Sequence, residues 1–80
     1  MTVTVLLFAS YADAIGERKI PLDLPTGSTV GEAVRRVKAM AGASRLPADP
    51  IVAVNEVYAP ADRTLAAGDE VAIIPPVAGG

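Results

Sequence analysis

The chain contains neither cysteine nor histidine. Without thiols it has no side-chain sulfur nucleophile, no disulfide and no thiolate ligand for a metal. Without imidazole it lacks the side chain that ordinarily serves as a general base near neutral pH. Any chemistry on sulfur must therefore use a group other than a thiol side chain, and no metal site is expected. Positive charge is also scarce: seven Lys and Arg stand against nine Asp and Glu, for a net charge of −2. That balance falls short of the basic footprint nucleic-acid binding requires. Arg35, Arg36 and Lys38 form the nearest thing to a cluster and read as one solvated helix face. A phosphate-binding loop is absent too, since Gly27 and Gly31 lack both the motif spacing and a following Lys-Ser/Thr. The apolar run at the start, Val3 to Ala9, is too short to span a bilayer and has no positive charge before it. It reads as a first strand, with a cytoplasmic location expected.

Eighty residues make one small domain. A chain of this length buries only a little over ~60% of the surface its unfolded form exposes, which allows one modest core. Hydrophobic residues reach 51%, yet fifteen of them are Ala and bring little area. The Val, Leu and Ile that remain suffice for one sheet packed on one helical layer. A deep catalytic pocket would compete with that core for the same residues, so size favours a carrier or binding module over a self-contained enzyme.

Residues 2 to 9 alternate β-branched and aliphatic positions, as in a central strand. A connection from Ser10 to Glu17 leads to Ile20, Leu22 and Leu24, alternating with Lys19, Pro21 and Asp23; together the two strands suggest a β-hairpin. Pro21 cannot donate to a ladder, which places the second strand at an edge or bulge. Thr29 and Glu32 have capping-box spacing, and Val30, Ala33, Val34, Val37, Met40 and Ala41 then mark one helical face, with Gly42 as its stop. Gly42 to Pro50 reads as a loop, and Ile51–Val54 and Val57–Ala59 read as short strands joined at Asn55-Glu56. After a turn at Ala66–Asp69, residues 70–75 form the last strand. A helix crossing between the first strands and a late one predicts that the first and last strands lie parallel and adjacent. The expected fold is α+β, a β-grasp or ubiquitin-like mixed sheet on one main helix. The expected organisation is a domain over residues 1–75 and an extended tail over 76–80.

The tail concentrates the chemical interest. Pro75 and Pro76 fix φ and favour an extended path away from the sheet. Val77 and Ala78 follow, and Gly79-Gly80 presents a terminal carboxylate with no Cβ beside it. A carboxylate becomes electrophilic once its oxygen is made a leaving group, as adenylation by ATP does. Two glycines are the least bulky residues for threading such a terminus into another enzyme. At ~7% glycine, two specified positions are both glycine by chance in about one chain in 200, so the ending counts only together with the strand and Pro-Pro spacer before it. Asp69-Glu70 could suggest paired carboxylates, but neighbouring strand residues face opposite ways and no third ligand is evident, so a turn role is expected. Asp13 and Glu17 read as solvated.

With Val5-Leu6-Leu7-Phe8-Ala9, Val52-Ala53-Val54-Asn55 and the run from Gly68 through Pro75-Pro76-Val77-Ala78-Gly79-Gly80, the chain resembles the MoaD/ThiS sulfur carriers along essentially its whole length. Its length and Pro-Pro-Val-x-Gly-Gly ending are most similar to the branch that serves molybdopterin synthase. The resemblance implies a role in molybdenum-cofactor biosynthesis. A MoeB-like enzyme would use ATP to adenylate Gly80, a sulfur donor would convert it to a thiocarboxylate, and the tail (Pro75, Pro76, Val77, Ala78, Gly79) would insert into a MoaE-like large subunit. There it would deliver sulfur to precursor cyclic pyranopterin monophosphate, within a heterotetramer whose main catalytic residues sit on the large subunit. No cofactor is expected on this chain. Related carriers for thiamine or cysteine synthesis, and ubiquitin-like protein modifiers, share the same activation chemistry. Where many relatives carry a charged pair after the first strand, this chain has Ala12-Asp13.

Alternation also predicts a second surface. If Val5, Leu7, Val71 and Ile73 face the helix, then Leu6, Phe8, Ala72 and Ile74 face away, with Tyr58 joining them. A fold with one helix has nothing of its own to cover that side. An apolar patch on a small protein suggests a partner interface, for which Leu6, Phe8, Tyr58 and Ile74 are the candidates.

Overall fold

The computed structural model describes residues 1–40, 42–47 and 49–75, with only the backbone described at Arg45. The order of elements is β1 (Thr2–Leu7), α1 (Ala9–Ile15), β2 (Lys19–Asp23), α2 (Val30–Lys38), a 3-10 turn (Ala43–Arg45), β3 (Ile51–Val54), β4 (Val57–Tyr58) and β5 (Glu70–Ile74). The strands form one five-stranded sheet in the order β2-β1-β5-β3-β4. β1 and β5 pair in parallel, with Val5 opposite Val71 and Leu7 opposite Ile73; the other pairings are antiparallel. This is the β-grasp arrangement anticipated from the sequence.

The inner face of the sheet carries Val3, Val5, Leu7, Leu22, Val52, Val54, Val71 and Ile73, all buried. Val30, Ala33, Val34 and Val37 of α2 close the core from the other side. Each large aliphatic side chain fully removed from water stabilises the fold by about 1.5–3 kcal/mol. α2 starts where the capping box puts it: Thr29 Oγ1 accepts from the Glu32 amide at 3.3 Å, and Glu32 Oε1 accepts from the Thr29 amide at 3.4 Å. The next two orphan amides, of Val30 and Gly31, donate to the Arg63 and Ala61 carbonyls at 2.9 and 2.8 Å. The 59–66 segment is thereby tied to the start of the helix. Pro21 lies on β2, an edge strand, as its missing amide requires.

Three expectations need correction. First, residues 10–17 are not an irregular connection: Ala9–Ile15 is a helix, so β1 and β2 pair antiparallel without forming a tight hairpin, and the described residues hold a second, shorter α-helix beside the main one. α1 has no side-chain cap, and its Tyr11 and Ala12 are buried while it packs on the 3-10 turn. Tertiary contact thus holds a helix too short to persist by propensity. Second, α2 ends at Lys38, with Ala39 as C-cap, before Gly42 is reached; Met40 is half-buried beyond it, and Ala41 lies outside the described residues. Gly42 has a different task. It sits at φ 86, and a Cβ there would collide with the Ala14 carbonyl oxygen of α1. Third, the stretch after Gly42 is partly ordered by the 3-10 turn, which buries Ala43 and Leu46.

Candidate functional site

β5 is the middle strand of the sheet and the last to be reached in sequence, so the described chain ends at Pro75, next to the centre of the sheet. Because β5 runs parallel to β1, Pro75 and Phe8 emerge at the same end. Pro75 itself is half-buried. Pro76, Val77, Ala78, Gly79 and Gly80, the rest of the expected tail and its reactive terminus, lie outside the described residues.

The face of the sheet turned away from α2 is organised along the strands. Leu6 pairs with Ala72, Ala72 with Ala53, and Ala53 with Tyr58, which makes one apolar row across four strands. One step nearer the tail, Ile74 pairs with Ile51, and Phe8 follows directly after β1. One step further from the tail the row is polar, with Thr4 opposite Glu70. The outer face therefore grades from polar to apolar toward the Pro75 end of β5. Phe8, Ile51 and Tyr58 are 47%, 49% and 75% exposed, and Leu6 and Ile74 are half-buried. Leu6, Phe8, Tyr58 and Ile74, the four residues expected from alternation, line a single shallow depression of about 400 Å³, together with Ala53, Ala72, Glu56 and Glu70. Neither helix covers it. Ile51 was not among the expected residues; every position of Ile51–Val54 is apolar, so alternation alone could not assign its face.

The polar groups nearby are structural. Asn55 Nδ2 donates to Asp69 Oδ1 at 3.0 Å, the Ala66 amide donates to Asp69 Oδ2 at 2.8 Å, and the Glu70 amide donates to Asn55 Oδ1 at 3.0 Å. The bond from the Ala66 amide, then that from Asn55, hold the Asp69 carboxyl below its ordinary value; burial opposes them, and the charge of Arg63 adds the smallest lowering effect. Asp69 is thus committed to the turn while Glu70 faces the depression, and the two do not form a catalytic pair. Among the described residues no cluster of side chains could hold a metal ion. Arg35, Arg36 and Lys38 are exposed on α2, with Arg36 Nη2 donating to the Asp23 carbonyl at 3.1 Å. Ala12 is buried in α1, while Asp13 is exposed. No described helix is long and apolar enough to cross a membrane. The described residues therefore offer an exposed apolar face beside Pro75 and no catalytic constellation.

The chain is 38% identical over 81 residues to the molybdopterin synthase sulfur carrier subunit of Dictyostelium discoideum, covering 95% of this chain and 93% of that one. Among solved structures it is similar to SAMP1 of Haloferax volcanii, with a TM-score of 0.87 and 32% identity over the whole of both chains. It is also similar to a Pyrococcus furiosus chain provisionally described as subunit 1 of molybdopterin converting factor, with a TM-score of 0.84 and 28% identity over 95% of this chain and 98% of that one. The ThiS family matches residues 5–80, from the first strand through the terminal glycines. With nearly all of the sheet, the apolar outer face and the Gly-Gly ending inside that match, the chain belongs to the ThiS family of ubiquitin-like sulfur carriers.

Proposed function

We propose that this chain is the sulfur-carrying small subunit of a molybdopterin synthase, and that the C-terminal carboxylate of Gly80 is its working group. The observation that carries the reading is the relationship to the Dictyostelium sulfur carrier subunit over nearly all of both chains, with a family match that runs through Gly79-Gly80. The absence of cysteine agrees with it, because the terminus can carry sulfur without any thiol side chain. In the first step the Gly80 carboxylate attacks the α-phosphorus of ATP on a MoeB-like enzyme, forming the acyl-adenylate and releasing pyrophosphate. A sulfide equivalent from a donor then displaces AMP and leaves the thiocarboxylate. Inside a MoaE-like large subunit, the thiocarboxylate gives its sulfur to precursor cyclic pyranopterin monophosphate. Water returns the terminus to a carboxylate, and two rounds supply both dithiolene sulfurs. The chain binds no cofactor of its own in this scheme. Residues 1–75 act as the docking domain and residues 76–80 as the inserted arm, working in the cytoplasm where ATP is available.

A second reading is favoured by one observation, the similarity to small archaeal modifier protein 1 of H. volcanii over the full chain. In that reading a lysine of a target protein displaces AMP and Gly80 ends in an isopeptide bond. Intact mass after incubation with ATP, a MoeB-like enzyme and a sulfur donor tests the first reading. A gain equal to exchanging one oxygen for one sulfur, lost when Gly80 is deleted, is the expected result. No change with a competent enzyme sinks the carrier reading, and adducts on lysines of added proteins move the assignment to the modifier.

A further inference from the structure

A second hollow runs along α2, on the other side of the sheet from the outer depression. One wall is the helix stripe Gly31, Val34, Arg35 and Lys38; the other is Asp49 and Pro50 with Ala59 and Ala61. It has a volume of about 180 Å³, and the buried Val30, Val34 and Val52 form its floor. The backbone sets the walls. The Gly31 amide donates to the Ala61 carbonyl at 2.8 Å, and a Cβ on Gly31 would stand only 3.3 Å from that oxygen. The groove is therefore preformed, which lowers the cost of filling it. Its helix rim is cationic. Arg35, Arg36 and Lys38 are three of the chain's seven cations, gathered in four residues of a chain with net charge −2. Arg36 turns to the Asp23 carbonyl, whereas Arg35 is exposed at the groove with no hydrogen bond or ion pair among the described residues. Asp49 stands on the opposite rim. The dipole of α2 favours cations in its last turn, but it gives no reason for them to border an apolar hollow.

Resting on the proposed function, we infer that this groove docks the protein that supplies sulfur to Gly80. That protein places an apolar side chain on Val34 and Pro50, flanked by an aspartate or glutamate that meets Arg35. Position selects this partner. Pro50 precedes Ile51, which pairs with Ile74, so the groove opens at the Pro75 end of β5. Residues 76–80 span no more than about 18 Å even when fully extended, so any protein acting on Gly80 sits close to that end. Sulfur transfer needs two proteins there at once, one holding the acyl-adenylate and one bringing the sulfide equivalent. A groove on the α2 side lets the second approach without touching the outer face. Three cations are too small a footprint for nucleic acid or a lipid surface. A second copy paired groove to groove brings like cations together. The cations thus steer an acidic donor, while the apolar floor seats it.

Sulfur uptake at Gly80 of the full-length chain, followed by intact mass with ATP and a MoeB-like enzyme, tests this with two sulfur sources. One is a persulfide-charged cysteine desulfurase with a thiol reductant. Its terminal sulfur displaces AMP, and the thiol then cleaves the acyl disulfide to release the thiocarboxylate. The other is sodium sulfide, whose hydrosulfide displaces AMP directly and needs no docking. Arg35→Glu is expected to raise the KM for the desulfurase roughly tenfold at low salt, with the difference shrinking at high salt. Arg35→Lys is expected to stay near wild type. Pyrophosphate release and uptake from sulfide are expected to be unchanged in both variants. Arg35 is exposed, so folding is expected to be retained and is checked by circular dichroism. A KM indifferent to Arg35→Glu at every salt concentration overturns the inference and leaves the carrier function standing. An equal slowing of pyrophosphate release also overturns it, since the surface then serves the adenylating enzyme. Self-association of the wild-type chain that Arg35→Glu abolishes overturns it as well. A wild-type chain that gains no sulfur from either source removes the functional reading itself, and the inference with it.

Discussion

Asn55 and Asp69 lock the β3–β4 turn to the start of β5, through a bond of 3.0 Å from Nδ2 to Oδ1, and the Asn55 carbonyl oxygen of the side chain takes the Glu70 amide in return. The pair fixes the places of Glu56 and Glu70 beside the outer depression, since Glu56 follows Asn55 and Glu70 follows Asp69. Because the Asp69 carboxyl is held below its ordinary value near 3.8, its ionised form favours the folded state. That contribution is fully present above the unfolded value and is lost as pH falls through the folded one. Asp69→Asn is therefore expected to lower stability at neutral pH by about 1 kcal/mol and to reduce the loss of stability on acidification below pH ~4. Urea denaturation of both proteins at several pH values measures this, and curves that stay parallel down to strong acid would exclude the linkage.

Gly42 and Gly68 both sit at positive φ, 86 and 83, but only Gly42 backs onto another segment. Gly68→Ala is expected to cost about 1 kcal/mol, the conformational term alone. Gly42→Ala adds a collision with the Ala14 carbonyl that only a backbone shift can relieve, and is expected to cost about 3 kcal/mol. Thermal melts of the two variants distinguish these cases. Equal losses would mean that α1 yields freely at Ala14.

Glu56→Gly is expected to raise stability by about 0.5–1 kcal/mol, since glycine relaxes the turn at φ 71. A melting temperature that falls on this substitution would show that the Glu56 side chain supports the fold.

Phe8, 47% exposed, contributes only part of its area to the domain. Phe8→Ala is expected to change folding stability by less than about 1.5 kcal/mol. The same change is expected to weaken the complex with the large subunit by about 2 kcal/mol or more, as buried aromatic anchors do. Ile51→Ala should behave alike if the whole apolar end is covered. Titration calorimetry on each variant reads the effect, and an unaltered affinity for both would move the docking surface elsewhere.

The sequence was most legible where two signals agreed. Thr29 and Glu32 announce α2, and the period of Val30, Val34 and Val37 repeats the message. The alternation of β1 and β5 gave the inner and outer faces, hence Leu6, Phe8 and Ile74, before any register was known. α1 was hidden because nothing local defines it: Phe8 is no cap, seven residues are few, and the burial of Tyr11 and Ala12 depends on the distant 3-10 turn. Ile51 was hidden in a uniformly apolar strand, and its face emerges only from its pairing with Ile74. The nearness of Glu56 to Glu70 was equally out of sight, since the two are far apart in sequence and meet only through the β3–β5 pairing.

The strand that completes this sheet is also its centre. Until β5 is synthesised, β1 and β3 have no neighbour between them, and a nascent or truncated chain ending before Glu70 holds two half-sheets with open inner edges. Folding must wait for contacts that span nearly the whole chain, a topology associated with slower folding. The apolar outer face, which spans β1, β5, β3 and β4, is therefore expected to form only once the last strand has been made.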